Sequence, residues 1–160
     1  MDLEKIKEYV KEKHKGQTRI QGTPYFDHPL AVSKILKVKG FNLDYQVVGL
    51  IHDLLEDTDA SEEEILSLTN EDVLKAVKVL TKDKNYIMND YINSIKENEI
   101  AKIVKLADRV HNLSEAHYAS LEFISDYIKE TREWYVPISY NTPFEKDIEY
   151  WLLILEEKFK

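Results

Sequence analysis

The chain is predicted to be all-α. Three features lead there: only four Gly and four Pro punctuate the 160 residues, apolar residues recur mostly at three- and four-residue intervals, and no run alternates as a half-buried strand would. A chain of this length suits one domain with a sizeable core, whereas two domains would leave two marginal halves, so residues 1–160 are read as a single unit.

From Leu3 to about His14, the residues Leu3, Ile6, Tyr9 and Val10 make one stripe on a helix otherwise covered by Lys and Glu. Gly22 and Pro24 break helix, so Gly16 to Tyr25 is a loop. Asp27 can cap the next helix, Pro29 takes a first-turn position, and Leu30, Val32, Ile35, Leu36 and Val38 give its buried stripe before Gly40 stops it. A third helix begins near Leu43 and runs through Val47, Val48, Leu50 and Ile51 into His52 and Asp53. It is apolar nearly all round, as a central helix should be, and Gly49 suits a close backbone approach. Ser61 followed by Glu64 matches a capping box for a short helix ending near Leu68, and Thr69 or Asn70 caps another holding Val73, Val77 and Leu80. Tyr91, Ile92 and Ile95 mark a helix to about Lys96, and Ile100 to Leu113 traces a strongly buried one. Ala119–Thr131, Trp134–Tyr140 and Phe144–Phe159 read as further helices, with Pro137 marking a break and Pro143 a start.

The charge balance, 22 Lys+Arg against 30 Asp+Glu for a net −8, opposes binding to a polyanion and argues against a nucleic-acid partner. A small anion can still bind through local basic residues. There is no cysteine, no apolar run near 18 residues and no signal-peptide pattern after Met1, so a cytoplasmic protein without a membrane partner is expected.

The chemistry centres on His52-Asp53-Leu54-Leu55-Glu56-Asp57, where four reactive side chains interrupt an apolar helical run. At about 3.6 residues per turn His52 stands over Glu56 and Asp53 over Asp57. Adjacent His and Asp can grip one divalent ion, while Glu56 and Asp57 lie close enough to handle protons around it. The same spacing fits an amphipathic helix ending in solvated acids, so partners elsewhere in the chain decide. One such partner is the helix through Ile100–Leu113, which carries Lys105, Asp108, Arg109 and Asn112 on an otherwise buried surface; such a cluster needs a partner or a ligand. His111 is assigned a supporting role at most, and His14 and His117 none.

Three segments now combine: Gly22-Thr23-Pro24-Tyr25-Phe26-Asp27-His28-Pro29, His52-Asp53-Leu54-Leu55-Glu56-Asp57-Thr58, and Val104-Lys105-Leu106-Ala107-Asp108-Arg109-Val110-His111-Asn112-Leu113. Together they resemble the HD-domain hydrolases of the alarmone (p)ppGpp, meaning the hydrolase half of RelA/SpoT proteins and the stand-alone small alarmone hydrolases. The resemblance covers residues 10–115 and implies a helical HD-type phosphohydrolase fold that residues 119–160 complete. It implies metal ligands at His28, His52, Asp53 and Asp108, a catalytic pair at Glu56 and Asp57, and Mn²⁺ as the ion. The donor types themselves suit Mn²⁺, Zn²⁺ or Fe²⁺. The expected reaction removes the 3′-pyrophosphate of a small-molecule substrate, guanosine tetra- or pentaphosphate, as in the stringent response. Arg19, Lys105, Arg109 and Asn112 are then candidates to hold that nucleotide, with internal ion pairing as their alternative role. Arg19 is followed by Ile20 and Gln21, where long relatives often carry Lys and a small polar residue, which leaves the purine contacts open. No synthetase-sized segment is present, so degradation is the expected direction. A related hydrolase for a nucleoside monophosphate or an NADPH-like phosphate, and a nucleotide-binding module without turnover, are the alternatives. The oligomeric state is left open.

Overall fold

The computed structural model describes Met1–Lys160, and helices form at each place the periodicity marks. They are α1 (Leu3–Lys13), α2 (Asp27–Val38), α3 (Leu43–Ile51), α4 (Leu54–Asp57), α5 (Glu62–Leu68), α6 (Glu71–Leu80), α7 (Met88–Lys96), α8 (Glu99–Glu115), α9 (Leu121–Glu130), α10 (Val136–Ser139) and α11 (Glu145–Glu156). No helix is long and apolar enough to cross a membrane.

Helices α2, α3 and α8 pack on one another at the centre, with α1 and α6 against α3, α7 against α8, and α11 covering α8 from the C-terminal side. Val47, Val48, Leu50 and Ile51 of α3 are all buried, as its apolar circumference requires, and they meet Val104, Leu106, Ala107 and Leu113 of α8 in one continuous core. Gly49 lets α2 lie against α3: a Cβ there would sit 2.9 Å from Leu36 Cδ1 and 3.3 Å from the Ser33 backbone. That close approach brings the N-terminus of α2, with His28, over the C-terminus of α3, with His52.

Local signals set most of the helix ends. Ser61 and Glu64 form the reciprocal capping box, and Asn70 accepts from Val73 N at 2.9 Å. After α2, Gly40 takes φ +88, Phe41 N–H bonds Leu36 O and Gly40 N–H bonds Lys37 O, the paired bonds that close a helix on glycine. The loop ahead of α2 is a small hairpin: Thr18 pairs with Pro24, Arg19 N–H bonds Thr23 O at 2.8 Å, and Gly22 at φ +88 completes the turn. Its tip presents Arg19, Ile20 and Gln21.

Four expectations change. Phe26, not Asp27, occupies the cap of α2, and Asp27 is its first helical residue without a capping bond. Val38 lies 87% exposed because it stands two residues past Leu36, on the side of α2 opposite the buried Val32, Ser33 and Leu36. Helix α3 does not run unbroken through His52 and Asp53; it ends at Ile51, and Asp53 adopts φ −96, ψ −4 before α4 resumes. Pro137 does not break the chain's helical path. Residues Thr131–Tyr135 form a π-helical turn, with Val136 N–H bonding Thr131 O, that carries α9 into α10. A wider turn relieves the clash a proline ring makes with the carbonyl four residues back.

Gly49→Val is expected to lower stability by about 1–3 kcal/mol in denaturant melts, because the added methyls must push Leu36 and the Ser33 backbone. An unchanged midpoint would mean that α2 and α3 tolerate a wider spacing.

Candidate functional site

His28 enters from the first turn of α2, His52 from the end of α3 and Asp108 from the middle of α8, and all three side chains are buried. Their potential ligand atoms lie within 4.8 Å of one another. His28 Nε2 is 2.7 Å from Asp108 Oδ1, and His52 Nε2 is 3.2 Å from the same oxygen. Asp53 flanks this trio, with Oδ2 at 3.2 Å from His52 Nε2. That oxygen also accepts the Tyr25 hydroxyl at 2.5 Å. Three of the four expected ligands therefore converge, and the fourth stands at their edge.

The tautomer of His52 tests whether a cation fits. Its Nδ1–H donates to Gly49 O at 2.7 Å, so in the neutral ring Nε2 is a lone pair. That lone pair faces carboxylate oxygens of both Asp53 and Asp108 at 3.2 Å. Only a proton or a metal ion placed among these atoms removes the repulsion. The same attraction is visible in the acid–base balance: burial opposes charging His52, yet Asp53 and Asp108 outweigh it and hold the imidazole well above its usual range. Two imidazoles and a carboxylate, with a second carboxylate alongside, are a donor set suited to a divalent ion.

The surrounding shell is specific. Burial works against ionising Asp108, but Lys105, His28 and His52 outweigh it, and Lys105 Nζ sits 3.2 Å from Asp108 Oδ2. Asn112 Nδ2 reaches Asp108 Oδ1 at 3.3 Å while its Oδ1 accepts from Arg19 Nη2 at 3.0 Å. His111 Nδ1 lies 2.7 Å from His28 Nδ1; burial and the neighbouring His28 push His111 down to about 4, so it is neutral at pH 7. Glu56 and Asp57 stand on the open side of α4. Glu56 Oε1 accepts Lys82 N–H at 2.7 Å. Burial, then Asp53 and Glu56, push the Asp57 carboxyl up to about 6. The four-residue relation survives the break in α3, since Asp57 N–H still bonds Asp53 O at 3.0 Å.

The cations expected at the substrate divide into two kinds. Lys105 is spent on Asp108. The Arg109 guanidinium lies 4.2 Å from the Tyr127 ring centroid and 4.0 Å from that of Tyr135, donates to Glu130 and Thr131, and is only 3% exposed. Both are engaged in ion pairs, with Asp108 and Glu130. Arg19 and Asn112 instead line a cavity of about 580 Å³ with Gln21, Tyr25, Glu115 and Phe123. Because Tyr25 bonds Asp53 and Asn112 bonds Asp108, this cavity adjoins the histidine–carboxylate cluster.

Sequence reasoning missed four residues here. Tyr25 carries no chemical signature in a loop until its hydroxyl is seen on Asp53. Gln17 bridges His14 and the α4 end, its Oε1 accepting from His14 Nδ1 at 2.9 Å and its Nε2 donating to Asp57 O at 2.9 Å. His14, assigned no role, is buried with its ring against Tyr25 at 4.8 Å. Glu115 lies three residues beyond Asn112 and four beyond His111 on α8, a spacing that could have placed it on the site's face.

The family model described as "HD domain" matches residues 7–102. The chain belongs to the HD-domain family. Among its HD relatives, a guanosine-3′,5′-bis(diphosphate) 3′-pyrophosphohydrolase of Danio rerio is 33% identical, covering 79% of this chain and 76% of that protein. A protein of the same name from Borreliella burgdorferi is 35% identical over 84% of this chain but only 22% of its own length, so the chain spans about a fifth of such long relatives. A solved metazoan orthologue of SpoT, described as hydrolysing ppGpp, is 28% identical and superposes with a TM-score of 0.78 over 98% of this chain and 94% of that one. A structure from Listeria monocytogenes EGD-e, 24% identical with a TM-score of 0.64, shares the fold.

Loading this HD domain with a divalent ion is expected to raise Tm and to release about one proton per ion, since the ion replaces the proton that His52 otherwise holds. Affinity should therefore weaken as pH falls. Calorimetry in two buffers of different ionisation enthalpy measures the proton count, and His52→Ala should lose both effects. Uptake without proton release, or a normal thermal shift in His52→Ala, would contradict this geometry.

Proposed function

We propose that the chain is a metal-dependent phosphohydrolase that removes the 3′-pyrophosphate of guanosine tetra- and pentaphosphate, yielding pyrophosphate and GDP or GTP, in the cytoplasm. The observation that carries this reading is the buried His28–His52–Asp108 cluster beside a cavity of about 580 Å³ large enough for a nucleoside. The Danio rerio relative and the SpoT orthologue, which match most of the chain, support the substrate class.

His28, His52 and Asp108, with Asp53, would hold the ion; the mixed nitrogen and oxygen donors suit Mn²⁺, Zn²⁺ or Fe²⁺, and we assign Mn²⁺ on the resemblance to the alarmone hydrolases. A divalent ion at this point supplies positive charge against the reacting phosphate and lowers the pKa of a water. Asp57 is placed to take a proton from the attacking water, because its carboxyl is raised to about 6 and so exchanges protons near neutral pH. We assign Glu56, whose Oε1 accepts the Lys82 N–H, to relay that proton to the 3′-oxygen as it leaves. Arg19 and Asn112 orient the nucleotide from the cavity side, and Tyr25 keeps the Asp53 carboxylate turned toward the cluster.

The direct test is incubation of the metal-loaded protein with ppGpp, deoxynucleoside monophosphates and NADPH. Pyrophosphate release from ppGpp alone is the expected outcome, and turnover of another substrate in its place would overturn the assignment. Glu56→Gln and Asp57→Asn should retain the metal and lose roughly 10²- to 10⁴-fold in kcat. Asp57→Asn carries a second expectation. A raised native pKa means that ionisation destabilises the metal-free native state as pH climbs from about 4 to about 6. The substitution should accordingly raise the metal-free Tm at pH 7 and leave it unchanged below pH 4. Both mutants turning over near the wild-type rate would remove this mechanism even with the metal site intact.

A further inference from the structure

Glu115 is an acid in a place where a polyanionic substrate makes acids unwelcome. It lines the cavity beside the metal cluster, and the loop before α2 holds its carboxylate: Arg19 Nη2 lies 3.1 Å from Oε1 and Gln21 Nε2 donates to Oε2 at 2.8 Å. Arg19 also donates to Asn112, so one guanidinium ties the acid to the side chain that touches Asp108. The arrangement leaves two atoms unanswered. Arg19 Nε, a donor, and Gln21 Oε1, an acceptor, are buried without a hydrogen-bond partner. Across the cavity, Phe123 and Tyr127 stack on each other with ring centroids 5.3 Å apart and offer an apolar wall to a planar group.

A carboxylate has about four acceptor positions; Arg19 and Gln21 take one each, and His111 Nε2 stands 3.4 Å from Oε1. The remaining capacity, with Gln21 Oε1 beside it, calls for a ligand bearing adjacent N–H donors; Arg19 Nε calls for an acceptor. Guanine has this pattern on one edge, with N1–H and N2–H₂ as donors next to the O6 acceptor. Adenine presents an N1 lone pair where the carboxylate would meet it, which is repulsive. Hypoxanthine keeps N1–H and O6 but lacks the second donor.

We infer that Glu115, braced by Arg19 and Gln21, is the specificity-determining residue that selects guanine over adenine through the base's N1–H and N2–H₂ edge. The inference rests on the nucleotide-hydrolase reading for why a base enters the cavity, but it concerns binding and is tested without turnover. Arg19 and Gln21 are both carried on the tip of the Thr18–Pro24 hairpin, so the selecting group is assembled from α8 and one short loop.

The test is calorimetric titration of GDP, IDP and ADP into the metal-loaded full chain and into Glu115→Gln, with metal content and Tm as controls for folding. Wild type should bind in the order GDP, IDP, ADP, with GDP favoured over ADP by at least about 10²-fold. Glu115→Gln should lose most of that ratio by weakening GDP while ADP affinity stays within about threefold. If Glu115→Gln does not fold, the wild-type order GDP over IDP over ADP still decides, because loss of one N–H donor must weaken IDP. Equal affinity of wild type for GDP and IDP, or a Glu115→Gln protein that weakens all three alike, overturns the inference. Pyrophosphate release from ppGpp, measured in parallel, separates the two readings: hydrolysis without base preference removes only this one, and base preference without hydrolysis removes only the other.

Discussion

The Asp108 carboxylate is the point on which the rest of the structure depends. It is buried on α8, and a buried carboxylate is tolerable only when opposite charges and donors surround it. His28, 80 residues earlier, and His52, 56 residues earlier, converge on one of its oxygens, while Lys105 takes the other. Satisfying that single charge therefore aligns three helices. It also concentrates negative charge where two histidine nitrogens meet, an arrangement that could hold a cation.

Packing supplies the geometry that the charge needs. The missing side chain at Gly49 lets α2 settle onto α3, which sets how near His28 comes to His52. The carbonyl of the same residue fixes the His52 tautomer by accepting its Nδ1–H, so one glycine controls both the spacing and the direction of the Nε2 lone pair. The break at His52–Asp53 belongs to the same arrangement. Asp53 sits in the sparsely populated region between helix and strand, a conformation common at reactive sites, and its Tyr25 bond helps to hold it there. The four-residue relation to Asp57 persists across the distortion, so the acid on α4 stays aligned with the cluster.

The basic residues near the site are sorted by partner. Lys105 and Arg109 neutralise Asp108 and Glu130, with tyrosine rings beside the cations. Arg19, on a loop tip, remains at the cavity wall beside Asn112 and Glu115. In a chain with net charge −8, each of these three cations thus has an acidic partner: Asp108 for Lys105, Glu130 for Arg109 and Glu115 for Arg19.

The helix positions, most of their ends and the chemical types of the site were legible in the sequence, because they follow from short-range rules. Apolar spacing marks a buried face, Ser61 and Asn70 bond backbone groups three residues away, and His28, His52, Asp53 and Asp108 are donors whatever their surroundings. Pro137 misled for a related reason: its ring excludes an ordinary turn, but whether the chain breaks or widens into a π turn depends on what the Thr131–Tyr135 segment packs against, and here that includes Arg109. Val38 misled because it is apolar in type but stands on the side of α2 opposite Val32 and Leu36. Only the tertiary structure could decide that Lys105 pairs with Asp108, Arg109 with Glu130 and Arg19 with Glu115, that Tyr25 bonds Asp53, and that Asp53 stands beside His28, His52 and Asp108. Most of these are meetings between segments far apart in the chain, and a charge or hydroxyl acquires its role from the partner it meets, which no local spacing encodes.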